Sequence, residues 1–193
     1  MRRAGSLVTL TTAGLMGLGY LGSPVSAAYG DNTVYSEATG AGPTADEGSS
    51  VAVVANTTAA VHNYNQAVAN SHDCTGCRAV AVAFQVVLVP GQPADVQPVN
   101  EAVAYNVSCL KCVSVAIAKQ YLLYSHGATS IDQDAQREVA RIRAQVDSVA
   151  RSGVDPATMA SQLEPLYNRL IQVVRDGLQD AGNGRSSERA REA

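Results

Sequence analysis

The run Cys74-Thr-Gly-Cys77-Arg-Ala-Val-Ala-Val-Ala-Phe84-Gln-Val-Val-Leu-Val89 has a counterpart 35 residues further on, Cys109-Leu-Lys-Cys112-Val-Ser-Val-Ala-Ile-Ala-Lys-Gln-Tyr-Leu-Leu-Tyr124. The match extends upstream without a gap, because Asn65-Gln-Ala-Val-Ala69 aligns with Asn100-Glu-Ala-Val-Ala104. A fixed self-similar period marks a supersecondary unit that cannot bury its apolar face alone and does so against its neighbour. The segment before each cysteine pair alternates small and larger residues, the period of a short strand. The segment after it carries two patterns at once. Val80, Val82, Phe84 and Val86 alternate as in a strand, while Cys77, Val80, Ala81, Phe84 and Leu88 share one helical face. Asp73 and Ser108 stand where an N-cap would be, and Pro90-Gly91 would end a helix. The expectation is therefore an α+β fold in which each 35-residue copy is strand, Cys-x-x-Cys turn and helix. A β-rich repeat core is the alternative.

Downstream of this duplicated core, 51–128, residues 129–181 predict a helical hairpin. Ala135, Val139, Ile142, Val146 and Val149 mark one apolar stripe, and Met159, Leu163, Leu166, Leu170, Val174 and Leu178 mark a second. Gly153 stops the first helix, Asp155 caps the second and Pro156 takes its first position. Pro165 is expected to kink or split the second helix. The stripes imply docking on the core, with a contact to a protein partner or a second copy through these helices as the alternative. Residues 182–193 are polar and charged and predict a disordered tail.

Upstream, Arg2 and Arg3 precede an apolar run with Leu7, Leu10, Leu15, Leu18 and Leu21, followed by Val25-Ser-Ala-Ala28. This is the pattern of a signal peptide over 1–27, cleaved after Ala27 or Ala28, with an uncleaved membrane anchor as the alternative. It predicts a secreted or cell-envelope protein. Cleavage removes two arginines and no acid, moving the net charge from −3 to −5. An acidic chain without a basic cluster lacks the counterion-displacing face that nucleic-acid binding needs. Residues 28–50 are rich in Gly, Ser, Thr and acids and predict a flexible linker.

The doubled motif, Asn-x-Ala-Val-Ala with Cys74 to Val89 and then Cys109 to Cys112 and a helical tail, resembles the C-terminal extracytoplasmic region of actinobacterial proteins described as peptide zinc metalloproteases. The resemblance spans roughly 51–178 and implies an accessory module. It brings no catalysis, since a His-Glu-x-x-His motif is missing from the sequence and His62, His72 and His126 are not suitably spaced.

Cys74, Cys77, Cys109 and Cys112 carry the chemistry that remains, and three readings stand. An even count outside the cytoplasm implies two disulfides. On loop-entropy grounds a bridge between copies gives about 4 kcal/mol and one within a pair about 2. The retained two-residue spacing nevertheless favours Cys74–Cys77 and Cys109–Cys112. Thiol–disulfide exchange is the second reading, with Arg78 and Lys111 as candidate thiolate-stabilising cations. A four-thiolate zinc site is the third. Gln85 and Gln120 are expected to bond backbone or each other across the copies. The combined expectation is a secreted, disulfide-stabilised, non-enzymatic interaction or scaffold module with no cofactor, and an extracytoplasmic thiol oxidoreductase as the rival.

Overall fold

The computed structural model describes residues 30–56, 60–125 and 127–178. Strands β1 (Asn32–Thr39), β4 (Tyr64–His72) and β7 (Val99–Val107) form one parallel sheet in that order. Strands β2 (Ala45–Ala55), β5 (Arg78–Pro90) and β8 (Val113–Ser125) form a second, and the two-residue strands β3 (Ala60–Val61) and β6 (Asp95–Val96) pair in a third. The chain thus winds through three stacked coils of a parallel β-solenoid, each coil passing from the first sheet round a tight corner to the second. Helices α1 (Gln133–Ala150) and α2 (Pro156–Asp176) follow as a hairpin. The α+β class and the hairpin are as expected.

Two expectations are corrected. The segments after the cysteine pairs are strands β5 and β8, not helices, so the β-rich repeat is the architecture found. The reason lies in burial: β5 is covered on both faces, with Ala79, Ala81 and Ala83 turned into the solenoid and Val80, Val82, Phe84, Val86 and Leu88 packed under the helices. A strand apolar on both faces loses the polar alternation that betrays a half-buried one. Residues 28–50, expected as a linker, contain β1 and most of β2. The described part, 30–50, opens a first coil, lacking cysteines, that pairs strand for strand with the second: Asn32 lies beside Asn65 and Ala45 beside Arg78. The expected signal segment 1–27 and the tail 182–193 lie outside the described residues.

The solenoid interior is narrow and is built accordingly. Val34, Ala38, Ala67, Ala69, Ala79, Ala81 and Ala83 line it, and an asparagine side chain spans it. Asn65 Nδ2 on β4 reaches the backbone oxygen of Ala83 on β5 at 3.1 Å, and Asn100 Nδ2 on β7 reaches that of Ala118 on β8 at 3.0 Å. The same amides form a ladder, Asn32 donating to Asn65 at 2.8 Å and Asn65 to Asn100 at 2.7 Å. Gln120 donates to Gln85 at 2.6 Å, as the recurrence of glutamine suggested, and Gln85 to Gly30 O at 2.8 Å. At Asn32, Asn65 and Gln85 these bonds satisfy buried amides that would otherwise cost about 1–3 kcal/mol each.

The outer face of the second sheet carries the larger core. Phe84, Leu88, Ile142, Met159, Leu163 and Leu170 are almost wholly buried there, and Phe84 meets Tyr167 edge to face at 5.2 Å. Each such side chain contributes about 1.5–3 kcal/mol by leaving water. The apolar stripes of both helices are spent on this contact. Asp132 caps α1 through the amide of Ala135, and Asp155 caps α2 through those of Ala157 and Thr158. Gly153 adopts a φ of 72°, the left-handed stop expected of it. Helix α2 runs through Pro165 without splitting. Met159 and Leu163 before the proline and Leu170 and Val174 after it are buried in one cluster, holding both halves to the same sheet.

Candidate functional site

The four cysteines occupy the corner between the two sheets, on consecutive coils. The corner continues the parallel ladder: Gly76 N donates to Leu110 O at 2.8 Å, Leu110 N to Cys74 O at 3.1 Å and Val113 N to Cys77 O at 2.9 Å. Its bend needs left-handed backbone at two places. Asp73 and Ser108 supply the first, with φ of 51° and 50°, and Gly76 and Lys111 the second, with φ of 73° and 58°. Asp73 and Ser108 are therefore turn residues and not helix caps. Aspartate visits the left-handed region more readily than most residues because its short polar side chain bonds locally.

Within each corner the two sulfurs lie at bonding distance, pairing Cys74 with Cys77 and Cys109 with Cys112. The Cα separations of 6.2 and 5.9 Å suit disulfides across a tight turn. Stacking brings the two pairs together. Cys74 Sγ lies 3.2 Å from Cys109 Sγ and 3.7 Å from Cys112 Sγ. These three sulfurs are within 4.8 Å of one another, and Cys77 falls outside the trio. Cys77 turns instead toward the first coil, where Thr44 Oγ1 is 3.2 Å away and the backbone oxygen of Gly42 3.5 Å. Cys77 is 1% exposed and Cys74 7%, whereas the second pair, on the last coil, is only partly buried.

Lys111 in the outer corner is exposed, while Arg78 and His72 beside the inner corner are committed to other partners. Arg78, adjacent to Cys77, pairs with Glu47 at 2.7 Å and donates to Val154 O at 2.9 Å, so it ties the coils to the helix junction and does not face a sulfur. His72 ends β4 with its ring nitrogens 2.9 Å from Glu37 and 3.1 Å from Asp73. The bonds to Asp73 and then Glu37 raise its pKa above the ordinary histidine value. His62 pairs with Asp95 at 2.6 Å, and that bond chiefly lowers the Asp95 pKa. A shallow cleft of about 390 Å³ opens at the corner, lined by Gly40, Ala41, Asp73, Cys74, Thr75 and Ser108.

A second surface was not legible in the sequence. Strands β7 and β8 are the outermost of their sheets. Around them Val99, Tyr105, Val107, Leu110, Val113 and Tyr124 are between 36% and 64% exposed. The opposite end is guarded: on the edge strand β1, the amide of Glu37 is taken by the Asp46 carboxylate at 2.7 Å. The apolar exposure follows from the coil's being last in the stack among the described residues, a fact that residue types alone do not carry. No family model matches this chain, and neither curated proteins nor solved structures include a match to it.

Proposed function

We propose that this chain is an exported, disulfide-bonded module that binds another polypeptide by strand addition at the open end of its solenoid. The observation that carries the reading is the pair of parallel edges, β7 and β8, that no further strand covers among the described residues and that are rimmed by exposed valine, leucine and tyrosine. Natural proteins blunt exposed sheet edges with charge, proline or a covering element because free amides and carbonyls recruit further strands. Here one end carries such a guard, and the other presents apolar side chains of the kind that mark interaction sites. An extended partner segment would gain main-chain bonds from the edge and specificity from alternate side chains. The helical hairpin leaves this end as the better candidate surface, since its own stripes are buried on the sheet. The signal-like segment and the resemblance to an extracytoplasmic accessory region support export.

The test compares the two ends in the producing cell. A photo-crosslinking residue replaces Leu110 or Tyr105 at the open end, and Tyr35, 55% exposed on the first coil, as the control. A discrete adduct from positions 105 and 110, weak or missing from 35 and lost when the neighbouring position carries lysine, is the expected result. Equal labelling from both ends, or none from either, refutes docking at the open end, and an adduct of twice the chain's mass identifies the partner as a second copy.

A further inference from the structure

We propose that the stacked cysteine pairs form a two-step thiol relay, in which the outer pair, Cys109–Cys112, receives electrons from an external dithiol and passes them to the inner pair, Cys74–Cys77. This goes beyond strand addition and does not depend on it. A thiol on Cys109 would stand 3.2 Å from Cys74 Sγ, within the about 3–3.5 Å separation of a near-attack arrangement. The leaving sulfur, Cys77, is outside the close trio and turned toward Thr44, away from the attacker. The inner pair is the less exposed, Cys77 at 1% and Cys74 at 7% where it borders the shallow cleft, while both sulfur-bearing residues of the outer pair are partly exposed, so a bulky reductant reaches the outer pair first.

The steps balance. The external dithiol gives two electrons and two protons to Cys109–Cys112, becoming a disulfide and leaving two thiols on the outer pair. Cys109 then loses its proton and attacks Cys74 Sγ; the Cys74–Cys109 bond forms, the Cys74–Cys77 bond breaks, and Cys77 leaves as a thiolate that takes up a proton. Cys112, deprotonated in turn, attacks Cys109; the Cys109–Cys112 bond is restored and Cys74 is released as a thiol. The net result is an oxidised outer pair and a reduced inner pair. Fixed stacking sets the order, because the coil ladder holds Cys74 against Cys109.

The full chain, purified oxidised, provides the test. In Cys112→Ala the thiol of Cys109 has no local partner, and peptide mapping after acid quench and alkylation is expected to find a Cys74–Cys109 disulfide with Cys77 as the alkylated residue. Recovery of an intact Cys74–Cys77 bridge with Cys109 alkylated overturns the relay. Stacked turns alone would not move a second readout, the rate at which a thioredoxin-type dithiol reduces the inner pair. In Cys109→Ala/Cys112→Ala that rate is expected to fall about tenfold or more, because direct access is confined to the small exposed part of Cys74; an unchanged rate refutes the transfer. Circular dichroism matching the parent chain verifies that each variant retains its sheets. Zinc bound to the wild-type chain with all four thiols unreactive would also overturn it.

Discussion

The first and second coils follow the same path with different corners. Residues 40–44, Gly-Ala-Gly-Pro-Thr, run alongside 73–77, Asp-Cys-Thr-Gly-Cys, at the offset of 33 that holds for the strands on either side. Ala41 thus takes the place of Cys74 and Thr44 that of Cys77. The first coil makes its turn without a covalent bridge, using Gly40 at a φ of 129° where the later coils use Asp73 and Ser108. What the coils share is the ladder: Asn32, Asn65 and Asn100 in one file, with small residues behind them. The comparison assigns the fold to the ladder and leaves the cysteines as later fasteners, free to hold a second role.

The strongest way to break that assignment is to remove the ladder's middle rung. Asn65 is fully buried, accepts from Asn32 and donates to Asn100 and to Ala83 O. Asn65→Ala removes all three bonds and leaves the buried partners Asn32 and Ala83 O short of one bond each, an expected loss of about 3 kcal/mol in chemical denaturation. Asn100→Ala, on the open coil where water can substitute, should lose only about 1 kcal/mol.

Next in size is the exchange of one corner for the other. Cys74→Ala with Cys77→Thr writes the first coil's residues into the second. The loop-entropy contribution of so short a bridge is about 2 kcal/mol, and that is the expected loss, with the far-UV spectrum unchanged. A larger loss than that of Asn65→Ala, or failure to form the sheets, would mean that the bridge makes the coil and would sink the comparison.

The same comparison explains what could be read from sequence. The repeat of coils two and three was plain because its 35-residue period is free of gaps and cysteine punctuates it. The first coil was hidden by two changes. It lacks the cysteines, and four residues, 56–59, connect β2 to β3 where six, 89–94, lie between the paired positions Leu88 and Asp95 of the next coil, which shortens its period to 33. The surviving signal was Asn32, aligned with Asn65 and Asn100, too short to find without the register. The strand after each cysteine pair was ambiguous because both faces of β5 are apolar but for Gln85: Ala79, Ala81 and Ala83 face inward, followed on that face by Gln85, Val87 and Val89, against valine, phenylalanine and leucine outward. The helical hairpin had neither difficulty. One face of each helix meets water, so its stripe stands out, and Asp155-Pro156 signals its start by types suited to that position alone.

A smaller effect should run in the stabilising direction. Ser36 occupies the interior of the first coil, fully buried, and its hydroxyl has no hydrogen-bond partner among the described residues. The paired positions in the later coils are Ala69 and Ala104. Ser36→Ala removes an unsatisfied group and makes the first coil more like its neighbours, so a gain of about 1 kcal/mol is expected. Loss of stability on this change would show that the first coil's interior depends on the hydroxyl.

The smallest expected effect concerns the ionic tie between the same two coils. His72 on the second coil faces Glu37 of the first and its own neighbour Asp73. Both carboxylates favour the protonated ring, Asp73 more than Glu37, and the folded pKa is raised. A raised histidine pKa contributes stability that is fully present below the unfolded value of about 6.5 and is lost as pH rises through the folded value. The melting temperature of wild type should therefore exceed that of His72→Gln at pH 5.5, and the gap should close by pH 8.5. A gap that is constant across this range would assign His72 a packing role, leaving the backbone ladder and the asparagine file to join the cysteine-free coil to its neighbour.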